Sequence, residues 1–412
     1  MNDLTWIDAA LTAARPQAVA ALLRYFRDLD TAEEAFQEAS LRAVQRWPVN
    51  GPPRDPAAWL IMVGRNFAVD QVRRNRHHQS LTDNELLANT DDVESEWAER
   101  LDDSQYRDDI LRLLFICCHP ELPATQQIAL ALRIVSGLTV REIARAFLVS
   151  ESAMEQRITR AKRVVSKSGV PFETPGAAER SERLGVVATT LYLLFNEGYS
   201  ATGDVQVRTS LCDEAIRLAR LLLRLFASEP EVMGLMALLL LQHARAAARL
   251  DAEGGIVLLE HQDRSLWNRD MIAEGLAMVD KALRHRRPGP YQVQAAIAAL
   301  HARAPHAEET DWNEIDQLYA VLERLQPSPV ITLNRAVAVS KSRGPQAALA
   351  MLEPLAESLA GYFHFFGVKG ALHMQLGQVD AARKAFDRAI ALANTAAEAA
   401  HIRSQLDQLL EK

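Results

Sequence analysis

The side chains with the clearest chemical potential lie along one stretch, 150–165. At helical spacing Ser152, Glu155, Gln156, Thr159, Arg160 and Arg163 share one face, while Met154, Ile158, Ala161 and Val165 share the opposite one. Such a polar face can read base edges: Gln156 pairs with adenine, Glu155 accepts from the cytosine amine, and the arginines take guanine or phosphate. A solvated surface helix shows the same split, so the preceding residues carry the weight. Gly137 to Phe147, Gly-Leu-Thr-Val-Arg-Glu-Ile-Ala-Arg-Ala-Phe, predicts a short supporting helix. Leu148-Val149-Ser150 predicts a turn, and Ser150 the cap of a second helix running to about Val165. Together they predict a helix–turn–helix.

A second candidate is the helical stretch from Trp59 to Arg76. Arg65, Asn66, Arg73 and Arg76 fall within an arc of roughly 100°, and Arg74 adds to the basic run. Arginine suits phosphate, and Asn can hydrogen-bond an exposed base. Met62 and Val69 intrude on that arc, so alone this helix reads as solvated before it reads as a DNA binder.

Other polar clusters carry less. Cys117-Cys118-His119 offers two adjacent thiols that cannot easily share one tetrahedral ion, with no second ligand pair at zinc-site spacing, and reads as packing. Asn196-Glu197-Gly198-Tyr199 reads as a helix ending at Gly198, and Tyr362-Phe363-His364-Phe365-Phe366 as core. No phosphate-cradling Gly-rich loop, zinc-protease pair or nucleophile elbow is present, so the expectation is no enzyme, no cofactor and no metal.

The elements that must hold these faces are helices. Of 412 residues, 49% are hydrophobic; Ala and Leu dominate and long stretches lack Pro or Gly, which predicts an all-α chain with real cores. Three cysteines suit a reducing cytoplasm. The opening Met-Asn-Asp-Leu-Thr-Trp lacks a signal-peptide pattern, and the most apolar run, Val232 to Leu241, is too short to cross a bilayer. A soluble cytoplasmic protein without membrane contact is expected.

The net charge of −7 argues against nucleic acid until its distribution is read. Arg65 to Arg76 is basic, Asp83 to Asp109 is acidic with Arg100 and Arg107 as its only cations, and Arg141 to Lys167 is basic again. The predicted organisation is a helical module at 1–78, an acidic linker at 79–101, a helix–turn–helix module at 102–168, a linker at 169–180 and helical repeats at 181–412. In the first module, helical spacing runs through Ala18–Tyr25, Ala32–Trp47 and Ala57–Val72. A break is expected at Pro48–Pro53, and Asp55-Pro56 should start the third helix. Near the end Ala336 and Gly370, Ala348 and Ala382, and Leu352 and Phe386 match at an offset of 34, the tetratricopeptide period.

Asp30-Thr-Ala-Glu-Glu-Ala-Phe-Gln-Glu-Ala-Ser-Leu-Arg-Ala and Trp59-Leu-Ile-Met-Val-Gly-Arg-Asn-Phe-Ala-Val-Asp-Gln-Val-Arg-Arg resemble region 2 of extracytoplasmic-function sigma factors. Gly137 to Arg163 resembles their region 4. The ordered pair covers roughly the first two-fifths of the chain. Phe115-Ile-Cys-Cys-His-Pro-Glu-Leu, Leu191-Tyr-Leu-Leu-Phe-Asn-Glu-Gly-Tyr and Ser328-Pro-Val-Ile-Thr-Leu-Asn-Arg-Ala-Val-Ala resemble the subgroup with a large tetratricopeptide-like extension.

The resemblance implies an alternative sigma factor whose partners are core RNA polymerase and promoter DNA. It implies that Glu33, Glu34, Phe36, Gln37 and Glu38 dock on the β′ clamp helices, with the β flap a further contact. It implies that the helix carrying Arg65, Asn66, Arg73, Arg74 and Arg76 opens the −10 element, with Asn66 at a flipped base, and that the face from Ser152 to Arg163 reads the −35 element. Glu155 stands where many relatives carry a basic residue, so their −35 sequence does not transfer. The repeats are expected to gate or support the sigma modules, by packing on them or by holding another protein. The rival readings are a polymerase-independent DNA regulator with a repeat sensor and a repeat scaffold with no nucleic-acid contact.

Overall fold

The structure is a computed structural model that describes residues 5–51, 53–76, 103–147, 149–167, 177–199, 205–251, 255–393 and 396–410. Helices and short turns make up the described residues; an isolated bridge between Leu250 and Ile256 is the one β contact among them. The residues fall into two compact units, 1–198 and 199–412. The predicted acidic linker lies outside the described residues.

The first unit begins with α1 (Thr5–Phe26), α2 (Leu29–Asn50) and α3 (Pro56–Arg76). Asp28 caps α2 by accepting from the Thr31 N–H at 2.8 Å. Ala32, Ala35, Phe36, Ala39, Ala43 and Trp47 form its buried stripe at helical spacing. The Trp47 ring lies 6.2 Å from Trp6 and 5.5 Å from Trp59, so one aromatic column ties α1, α2 and α3. Asp55 starts α3 by accepting from Ala57 and Ala58 N–H groups at 2.9 and 3.1 Å.

Two boundaries differ from the sequence reading. Pro48 does not break α2: it leaves the Val44 carbonyl without its helical donor, yet the helix runs on to Asn50 and the Gly51 N–H closes the last turn on the Trp47 carbonyl at 2.9 Å. α1 likewise starts well before Ala18 and passes through Pro16.

α4 (Asp103–Cys117), α5 (Ala124–Ala131), a π-helical turn (Leu132–Ser136), α6 (Val140–Ala146) and α7 (Glu151–Lys167) follow. α8 (Ala177–Tyr199) starts inside the stretch assigned to the second linker, and the 180/181 boundary falls within it. It packs with the first unit up to Gly198 rather than with the repeats. Thr190 Oγ1 on α8 lies 2.9 Å from Gln127 Oε1 on α5, and Arg183 lies 5.9 Å over the Phe115 ring of α4.

The second unit runs from α9 (Val205–Leu225) through α10 (Pro230–His243), α11 (Arg269–Leu283), α12 (Pro290–Arg303) and α13 (Trp312–Leu325). α10 is apolar all round and buried from Val232 to Leu241, as a helix enclosed by neighbours must be. The Glu231 carboxylate accepts from the Tyr291 N–H at 3.0 Å and so joins the starts of α10 and α12.

α14 (Pro329–Arg343), α15 (Pro345–Leu352), α16 (Phe363–Gln375), α17 (Val379–Leu392) and α18 (Ala396–Leu410) complete it. α14–α15 and α16–α17 stand at the 34-residue offset, and all three matched pairs are buried. Gly370 has no alternative: a Cβ there would sit 2.5 Å from the Phe386 ring that packs across the hairpin. Phe365 belongs to the core of the first hairpin and Phe363 to that of the second.

Candidate nucleic-acid and polymerase interface

The helix–turn–helix is built from local signals. Thr139 caps α6 with a reciprocal box: its hydroxyl accepts from the Glu142 N–H at 3.2 Å, and the Glu142 carboxylate accepts from the Thr139 N–H at 2.7 Å. The Ser150 hydroxyl caps α7 by accepting from the Ala153 N–H at 3.2 Å. Met154, Ile158 and Ala161 are buried and Val165 is half-buried, while Ser152, Glu155, Gln156, Thr159, Arg160 and Arg163 are all exposed. The two faces thus stand as their spacing predicts.

Gly137, before this motif, is required twice. Its φ of +80° is a left-handed conformation, and a Cβ would come 2.8 Å from the Arg15 side chain of α1. Arg15 reaches past it to donate to the carbonyls of Ile134 at 2.9 Å and Arg133 at 3.1 Å, which the π-turn leaves open.

On α3 Asn66 is exposed and Arg65 is half-buried, its guanidinium 4.6 Å over the Tyr25 ring. Arg73, Arg74 and Arg76 lie on the same helix; their side chains fall outside the described residues.

On α2 the five expected docking residues divide. Glu34 and Gln37 are exposed and Glu38 is half-exposed, held by Arg42 Nε at 3.1 Å. Phe36 is buried with Arg15 4.7 Å above its ring, and Glu33 is only 5% exposed. Sequence reading passed over Leu41 and Val44, which are 55% and 48% exposed and continue the outer stripe of Glu34 and Gln37 at helical spacing. The signal was present: both fall off the buried stripe.

Sequence reading also gave no sign of the cations around Glu33. Arg133 of the π-turn lies 2.8 Å from Oε1, Lys162 of α7 donates to Oε2 at 2.9 Å, and Arg15 stands 3.8 Å away. Lys162 also donates to Asp30 at 2.6 Å. Burial pushes the Arg15 guanidinium down to about 10, with Glu33 acting against it. Burial lowers the Lys162 ammonium too, but the hydrogen bonds and charges of Asp30 and Glu33 outweigh it and hold its pKa above the ordinary lysine value. A cleft of about 540 Å³ opens beside this cluster, between the α1–α2 turn and α7, lined by Arg27, Asp28, Asp30, Glu155, Thr159 and Arg163 among others.

Cys117 and Cys118 are buried, and burial pushes the Cys117 thiol up and the Cys118 thiol up to about 12, which disfavours the thiolate needed for ligation or redox exchange. Among the described residues no group of three His, Cys, Asp or Glu side chains converges as a metal site, and no helix is long and apolar enough to cross a membrane.

Comparison with known families covers most of these surfaces. Residues 11–78 match the family described as Sigma-70 region 2, residues 112–164 match Sigma-70, region 4, and residues 183–283 match a family of unknown function, DUF6596. The chain is 70% identical over 410 residues to an uncharacterized protein of Rhizobium meliloti (strain 1021), covering 99% of this chain and 97% of that one. It is 28% identical over 140 residues to the ECF RNA polymerase sigma factor BldN of Streptomyces coelicolor, covering 33% of this chain and 50% of BldN.

Proposed function

The chain belongs to the extracytoplasmic-function sigma factors of the sigma-70 family, with a DUF6596 extension, and from that membership we propose how its surfaces divide the work of initiation. As an alternative sigma factor it serves transcription initiation, and its partners are core RNA polymerase and promoter DNA. The family generally carries no enzymatic activity of its own.

In this reading the six exposed side chains of α7 from Ser152 to Arg163 contact the −35 element, with Gln156 and Glu155 at base edges and the arginines at bases or phosphates. Arg65, Asn66, Arg73, Arg74 and Arg76 of α3 take the −10 element. Glu34, Gln37 and Glu38, joined by Leu41 and Val44, present a mixed polar and apolar strip of α2 to the β′ clamp helices, and region 4 meets the β flap. The observation that carries the assignment is the clean division of α7 into one buried and one exposed face behind two capped turns. Because the chain is acidic overall, promoter affinity comes through the holoenzyme in the cytoplasm.

The hairpins α14–α15 and α16–α17 support a tetratricopeptide-like role for the extension, either bracing the sigma modules or holding a regulatory protein. Run-off transcription with purified core enzyme, on the promoter upstream of the protein's own gene, tests the reading. Full-length chain should yield transcripts, and a chain ending at Gly198 reports what the second unit adds. DNA binding without core enzyme, and no transcript with it, would point instead to a free-standing regulator.

A further inference from the structure

We propose that the second unit carries a binding site for a small organic carboxylate with an apolar body, in the cleft where α12 and α13 meet α14. The inference concerns this unit alone and stands apart from the division of promoter and polymerase contacts among α2, α3 and α7.

The cleft has a volume of about 290 Å³, at the small end of the range in which proteins enclose organic ligands. Most of its wall is apolar: Trp312, Ile315 and Tyr319 of α13 line it with Val337 of α14 and Leu258, which precedes the turn Leu259–His261. Such a wall takes the hydrocarbon part of a ligand and gives nothing to a bare inorganic ion.

Polar groups on the same lining have incomplete bonding. Thr310 is 6% exposed, and its hydroxyl has no hydrogen-bond partner among the described residues. A buried hydroxyl without a partner is costly, and native proteins keep few of them. The His301 imidazole, edge-on to the Trp312 ring at 5.2 Å, likewise has no hydrogen bond among the described residues. Burial and the charges of Arg245 and Arg264 keep this ring uncharged near neutral pH, so it brings one N–H donor to the cleft.

The arginines set the charge of the ligand. Arg264 Nη1 donates to the carbonyls of His301 and Ala304, both at 2.6 Å, at the C-terminal end of α12. Its guanidinium lies 4.6 Å over the Trp267 ring. These contacts hold the side chain at the cleft and leave its charge unneutralised. Among the described residues no carboxylate forms an ion pair with Arg264 or with Arg245, which donates to the Tyr199 hydroxyl at 3.1 Å. Arg245 and Arg269 repel the Arg264 charge, and Glu308 offsets it without contact. At the rim Lys341 of α14 adds a further cation, bonded to Glu260 of the turn at 2.6 Å. A fixed guanidinium with N–H groups to spare is matched in shape and charge by a carboxylate, and the same field excludes an organic cation. A ligand seated here touches α12, α13, α14 and the turn at once, and so ties the helices before the repeats to the first repeat hairpin.

The test is isothermal titration of the full chain with 3-phenylpropionate and with octanoate, each beside its uncharged amide. At least one acid should bind with a Kd of about a millimolar or tighter, and its amide at least roughly tenfold more weakly. Val337→Phe fills the cleft and should abolish binding. Arg264→Met should weaken the acid by at least roughly tenfold, and Lys341→Met at the rim by roughly threefold. Arg264→Met also releases two carbonyls of α12, so Val337→Phe at a half-buried position and Lys341→Met at an exposed one keep the test intact if it folds poorly.

An absence of binding by both acids at ~5 mM overturns the site. Equal affinity for acid and amide, or undiminished binding in a folded Val337→Phe chain, overturns it as well.

Discussion

Glu33 and Lys162, separated by 129 positions in the chain, meet at 2.9 Å, and Arg133 and Arg15 close on the same carboxylate. Three cations around one buried acid make Arg15 the most exposed to loss of balance, since it also fills the open carbonyls of the π-turn. Arg15→Met should destabilise the first unit by about 3 kcal/mol, the low end for breaking a buried ionic contact because Arg133 and Lys162 still neutralise Glu33. Calorimetry should show the lower-melting or first-unit transition fall by roughly 10 °C with the second unit unchanged. A shift below 2 °C would mean the guanidinium is not structural.

Gln156 and Glu155 are exposed on α7 with their backbone fixed by a capped turn, so their substitution should change sequence choice and leave folding alone. Gln156→Ala should cost roughly tenfold on the preferred −35 element and relax one base position. A promoter-library selection that returns the parental −35 motif at full preference would remove the residue from base readout.

Arg73→Ala with Arg74→Ala should weaken promoter opening across all sequences rather than at one base, because arginine contacts to phosphate carry no sequence information. Permanganate footprinting of the −10 region should lose most of its reactivity. A full footprint would assign melting to other residues of α3.

Leu41 is more than half exposed on the strip that also carries Glu34 and Gln37. Leu41→Asp should lower core-polymerase affinity by at least roughly tenfold while the melting temperature stays within about 2 °C, as for any surface change outside a packed site. Unchanged binding would move the docking surface off this face.

His301 provides a pH signature of the second unit. Burial, with the charges of Arg245 and Arg264, pushes its imidazole from 6.5 down to about 4, and its ring packs 5.2 Å from Trp312. Between those values the unfolded chain binds a proton that the folded chain refuses. The stability from neutral His301 is therefore complete above pH 6.5 and is lost as pH falls toward 4. His301→Phe should flatten part of that decline in urea titrations at pH 7 and pH 5. Some slope should remain, because burial also lowers His364 and His401. An identical slope in the variant would exclude His301 as its source.

What the sequence made legible was local. The caps at Ser150 and Asp55, the two faces of α7 and the 34-residue match of Leu352 with Phe386 are written in neighbouring residues at fixed spacing, and each is found where the spacing puts it, whereas the supporting helix expected from Gly137 starts only at Val140, behind a Thr139 cap. The misses are long-range or depend on geometry that composition cannot express. Glu33 reads as surface on any helix wheel because acids usually are; its burial is decided by Arg133 and Lys162, about 100 and 129 positions away. Pro48 reads as a helix end, although a single lost donor near a helix terminus is tolerated. The Pro- and Gly-rich stretch at 169–176 reads as the boundary before the repeats, while the contacts of α8 carry the first unit on to Gly198.

That last helix bears on how the protein withstands damage and dissection. Thr190 of α8 hydrogen-bonds Cys118 and touches Gln127, so α8 roofs a thiol that is otherwise the end of a core helix. A gene cut at the visible break after Ser168 would strip that roof, lay the thiol open to peroxide and crosslinking, and make the sigma half look weak for reasons unrelated to transcription. A chain ending at Gly198 keeps α8 and with it the cover over Cys118, so the two truncations should differ in thiol reactivity before they differ in anything else.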